Sequence, residues 1–135
     1  MTVELRLEGA SFDDIAGFWR EVNRVFMADE EWRLGESLDA LEDMLHGGYG
    51  AARGDGPVVL HWRDMEASRR ALGVDATRGW LEEKLTGSFD AKAARARIEA
   101  LQRGEGQTYF DIVMEIFAGH PRFTIIAENR PRPAI

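Results

Sequence analysis

The sequence predicts an α/β domain in which a three-stranded parallel sheet is packed with helices. Its 135 residues, 44% of them hydrophobic, suffice for one core and are too few for two comfortable domains. Three short segments, near 2–7, 57–62 and 122–127, carry strand patterning. Helical periodicity fills the stretches between them, and strands joined by helical crossovers pair in parallel. The domain is expected to span 1–128, with a mobile C-terminal tail at 129–135.

Residues 2–7 alternate, with Val3, Leu5 and Leu7 opposite Thr2, Glu4 and Arg6, as a half-covered strand does. Gly9 ends it. Ser11 then reads as a helix cap with Asp14 at the capping-box position, ahead of the stripe Ile15, Phe18, Trp19, Val22 and Phe26. Residues 29–35 form a loop, Ser37 is the expected N-cap of a short helix, and Gly47-Gly48 stop it. The uninterrupted apolar run at 57–62 predicts a central strand buried on both faces. Helical patterns follow at 63–72, 77–86, 90–103 with Asp90 as cap, and 108–118 with Thr108 and Asp111 as a capping box. The segment 86–107 is poor in apolar residues and reads as an extra helical insert on the surface. Residues 122–127 supply the last strand, and the prolines at 131 and 133 prevent its continuation.

Charge is unevenly distributed. Residues 1–62 carry −8, residues 63–103 carry +2 and residues 104–135 carry −1, within a total of −7. A sequence pI near 5.0 argues against nucleic acid or an anionic membrane as the direct ligand, since both call for a basic surface. A basic protein is the expected partner. Absence of cysteine excludes disulfides, thiolate metal ligands and a thiol nucleophile. With neither a signal-like N-terminus nor an 18-residue apolar run, a cytoplasmic location and a monomeric free state are the expectation.

Seven of the carboxylates lie between Asp29 and Asp43, with Arg33 as the one basic residue among them. In the short helix that follows Ser37, Leu38, Leu41 and Leu45 share one face, and Asp39, Glu42, Asp43 and His46 share the other. No Lys or Arg lies one turn from Asp39 or Glu42 within the helix, so each like-charge pair costs roughly 0.2–0.5 kcal/mol. A helix built for stability alone would avoid this arrangement. The helix dipole by itself accounts for Asp39 in the first turn, whereas Asp43 near the other end opposes it. Glu42 and His46 also fit an ordinary solvated face. Phe18, Trp19, Trp62 and Trp80 read as core, and Trp32 in the loop reads as either core or contact surface.

Three segments stand out in order: Gly35-Glu36-Ser37-Leu38-Asp39-Ala40-Leu41 with Asp43, then Pro57-Val58-Val59-Leu60-His61-Trp62-Arg63 with Glu66 and Ser68, and finally Glu115 ahead of Thr124-Ile125-Ile126. The first two resemble the barstar family of intracellular ribonuclease inhibitors, and the third resembles it weakly. The resemblance implies a barstar-like fold and a protein that plugs a basic nuclease active site with its acidic loop and helix. By position it makes Asp43 the occupant of the nuclease's phosphate site, Asp39 and Ser37 further contacts, and Glu115 a peripheral one. Gly35 and Trp32 fall in the same loop. Arg33, Glu42, His46 and Gly48 replace a tyrosine, a tryptophan, a threonine and another tryptophan of the family pattern. The loss of these anchors implies a target other than barnase itself.

An enzyme built on Asp39, Asp43 and His46 is the competing class, but no second histidine lies at ligand spacing: His61 is on a strand and His120 on a turn. The expectation is therefore no catalysis, no cofactor and no metal. The glycines at 47, 48, 50, 54 and 56 lack the Lys-Ser/Thr ending of a phosphate loop and read as a flexible connection. A barstar-fold adaptor binding a non-nuclease basic protein through the same face stands as the alternative function.

Overall fold

The computed structural model describes residues 2–86 and 91–129. Alternation in the first segment gives strand β1 (Val3–Glu8), the apolar run gives β2 (Val58–Arg63), and β3 is Phe123–Glu128. All pair in parallel in the order β1-β2-β3, with Leu5, Leu60 and Ile125 in register. Six helices complete the architecture: α1 (Ile15–Phe26), α2 (Leu38–Leu45), α3 (Met65–Ala71), α4 (Val74–Glu83), α5 (Ala91–Gln102) and α6 (Tyr109–Ala118). A 3₁₀ turn, Lys84–Thr86, extends α4. The expected three-stranded α/β fold is the one observed.

Several local expectations are corrected. β2 is central but not buried on both faces: Val58, Leu60 and Trp62 are buried, while Val59, His61 and Arg63 alternate with them and are half-buried. The outer face therefore holds His61, whose two ring nitrogens bond Glu4 and Glu128 at 3.0 and 3.1 Å. Asp14 rather than Ser11 caps α1, accepting from the Gly17 amide at 2.7 Å, and the Ser11 hydroxyl turns back to the Glu8 carbonyl. The fourth helix begins at Val74, three residues before its expected start. The cap assigned to Asp90 and most of the tail, from residue 130, lie outside the described residues.

One aromatic core fills the space between helices and sheet. Trp19, Phe18, Trp62, Phe110 and Phe117 pack edge to face or stacked, and the Trp19 indole donates to the Tyr109 hydroxyl at 3.0 Å. Ser68, fully buried, accepts from the Trp62 indole and donates to the Gly9 carbonyl, both at 2.9 Å, fastening α3 beneath the ends of β1 and β2. The extra segment brings a small core of its own, in which Ile98 and Leu101 of α5 pack on Leu81 of α4. Trp80 joins the two clusters and is only half-buried, contrary to its reading as core.

Candidate functional site

α2 forms because Leu41, Met44 and Leu45 bury against the core while the opposite face stays wet. The Ser37 hydroxyl accepts from the Ala40 amide at 3.3 Å, the N-cap expected from the sequence. At the far end Gly47 turns the chain at φ +96°, and a Cβ there would lie 2.0 Å from the Gly54 carbonyl oxygen. Arg122, just before β3, donates to the carbonyls of Leu45, Ala52 and Gly56 at 3.2, 2.6 and 2.9 Å. It places a cation at the negative end of the helix and ties down the following loop. The glycine-rich connection is thus an anchored loop, not a free one.

The loop ahead of α2 is also held. Asn23 of α1 accepts from the Leu34 amide at 2.7 Å and donates to the Leu34 carbonyl at 3.2 Å, and Leu34 is buried. Glu30 accepts from the Gly50 amide at 2.7 Å and lies 3.6 Å from Arg53, so this acid has a structural task. Trp32, 46% exposed, packs against Tyr49 with ring centroids 4.7 Å apart. Burial, then the Asp43 charge, pushes the Tyr49 hydroxyl above its ordinary pKa, which places Tyr49 in the field of the acidic helix. Nothing in the sequence marked Tyr49, because its neighbours come from two separate segments.

Asp39 and Asp43 are exposed and make no ion pair among the described residues. Glu42 is different: its Oε1 lies 3.0 Å from His120 Nε2 and 3.8 Å from His46 Nε2. Asp39, Glu42 and Glu36 line an open groove of about 760 Å³, and Glu115 faces it from α6. The other wall is Trp80, with the Lys84 ammonium 4.3 Å and the Arg97 guanidinium 5.5 Å from its ring. Trp80 and Lys84 come from α4 and its 3₁₀ turn, while the insert, for which no function was expected, supplies Arg97 to the groove. Glu115 hydrogen-bonds Gln107 within it. Gly35 is exposed with nothing within 4 Å of a Cβ position, whereas Arg33 faces a separate depression with Arg20 and Arg24. The structure brings Ser37, Asp39, Glu42 and Glu115 together and leaves Arg33 apart.

Glu42, His46 and His120 each offer one donor atom within 4.8 Å of the others. The sequence argument that no second histidine accompanies His46 holds along the chain but not in space. No helix among the described residues is long and apolar enough to cross a membrane.

A family model described as Barstar (barnase inhibitor) matches residues 2–85, from β1 through α4 and into the 3₁₀ turn that follows it. The match includes Asp39 and Asp43 and stops before α5, α6 and β3. No curated protein matches the chain.

Proposed function

This chain belongs to the barstar family, and from that premise we propose that it is an intracellular inhibitor of a ribonuclease, docking on a basic active site through the 29–35 loop and α2. The observation that carries this reading is the pair Asp39 and Asp43, exposed one turn apart and free of ion pairs among the described residues, on a helix fixed at both ends. Carboxylates so placed mimic the phosphates that a ribonuclease holds with Arg, Lys and His, and charge-assisted hydrogen bonds are the stronger class. The surrounding negative field steers a basic partner into contact. Ser37, Gly35, Glu42, His46 and Glu115 surround the pair, and Arg33 would meet the partner only from the separate depression that it shares with Arg20 and Arg24. Trp32 on Tyr49 supplies an aromatic surface from residues that do not fill the family's aromatic positions.

The test is capture from the source cell's lysate on immobilised wild-type protein beside the Asp39→Ala/Asp43→Ala double variant, with ribonuclease assays of the eluates. A basic ribonuclease retained by wild type alone, and silenced by it, supports the inhibitor. A basic protein without nuclease activity, retained with the same face dependence, replaces the inhibitor by an adaptor. Equal capture on both columns removes this face from consideration.

A further inference from the structure

We propose that Glu42, His46 and His120 form a binding site for a zinc-type divalent cation, one that joins the C-terminal end of α2 to the turn between α6 and β3. The proposal is independent of what α2 docks on. Its first support is convergence: one donor atom from each of the three side chains lies within 4.8 Å of the other two, with Glu42 Oε1 at 3.0 Å from His120 Nε2 and 3.8 Å from His46 Nε2. Donors placed tetrahedrally at about 2.0–2.1 Å from zinc are roughly 3.3 Å apart, between these two separations. Two imidazoles and one carboxylate are also a donor set suited to zinc, with a position left for water or another molecule's ligand.

The second support is how the ligands are held. His120 is 8% exposed, and its backbone is closed into the turn by its amide on Phe117 and its carbonyl on Phe123, both at 3.0 Å. Glu42 and His46 are one helical turn apart on α2, and the rings of His46 and His120 meet edge to face at 4.8 Å. At 3.8 Å His46 is too far from Glu42 for a hydrogen bond, and at 67% side-chain exposure it is free to close on an ion. His61 makes the contrast: its two glutamates bond opposite ring nitrogens, so they cannot share an ion with it.

The test uses the full chain without a histidine tag, stripped with a chelator and titrated with zinc chloride by calorimetry, together with thermal unfolding and histidine-detected NMR. The expected result is one ion per chain, a raised Tm, and shifts of the His46 and His120 Nε2 resonances. His46→Ala, at an exposed position, should remain folded and lose affinity by more than about 100-fold, beyond the 10- to 100-fold typical of an outer-shell partner. His61→Asn should bind as wild type does. Absence of saturable uptake, or uptake that His46→Ala leaves unchanged, overturns the site.

Discussion

Asp43 lies near the C-terminal end of α2, where the helix dipole disfavours a carboxylate, and no ion pair offsets that cost among the described residues. Its presence is better explained by a partner than by the helix. Asp43→Ala is expected to leave Tm unchanged or slightly higher and to weaken partner binding by about ten- to a hundredfold, the loss of one charge-assisted hydrogen bond of ~1.5–3 kcal/mol. Stopped-flow association with the captured partner checks this; an unchanged affinity would remove Asp43 from the contact. Ser68 is the opposite kind of residue, buried and structural. Ser68→Ala strips the Trp62 indole and the Gly9 carbonyl of their partner, and is expected to cost about 1–3 kcal/mol in urea unfolding with no effect on α2 contacts.

For α2 as an element, orientation depends on its ends, since its eight residues are too few to be stable alone. Ser37→Ala should cost about 0.5–2 kcal/mol and raise amide exchange in the first turn of α2, leaving β2 protected. In the sheet, hydrogen bonds to Glu4 first and Glu128 second raise the His61 pKa above its ordinary value near 6.5. Protonated His61 thus ties both edge strands to β2. Because the folded pKa is the higher one, the stabilisation is fully present below the unfolded pKa and disappears as pH rises through the folded value. The stability difference between wild type and His61→Asn should shrink from pH 6 upward, and a difference that grows with pH would contradict the assignment. Elements governed by neighbours in sequence were legible: the Ser37 cap, the Thr108–Asp111 capping box and the Gly47 stop all appear as read. The choice of Asp14 over Ser11 as cap was not, because the same local pattern offers both residues and the return of the chain to Glu8 decides between them.

Across the whole molecule, residues 1–62 hold the excess of acid, and three of its members, Glu36, Asp39 and Glu42, line one groove with Glu115 of α6. Association with a basic partner should slow as ionic strength rises while dissociation changes little, since screening shortens the range of the steering field to about 10 Å at 0.1 M salt. A rate insensitive to salt would argue for a partner recognised by shape instead. The sequence by itself determined the fold class, the element order, the acidic helix and its exposed carboxylates, because periodicity, caps and local charge act over one or two turns. Only the tertiary structure decided what those carboxylates meet. Glu42 reaches His120 across 78 positions, Tyr49 folds back under Trp32, and α5 of the insert brings Arg97 to Trp80 and Lys84 in the groove that Glu115 and Asp39 also line. Such meetings follow from how helices pack on a twisted sheet, a geometry that emerges only when the whole core closes.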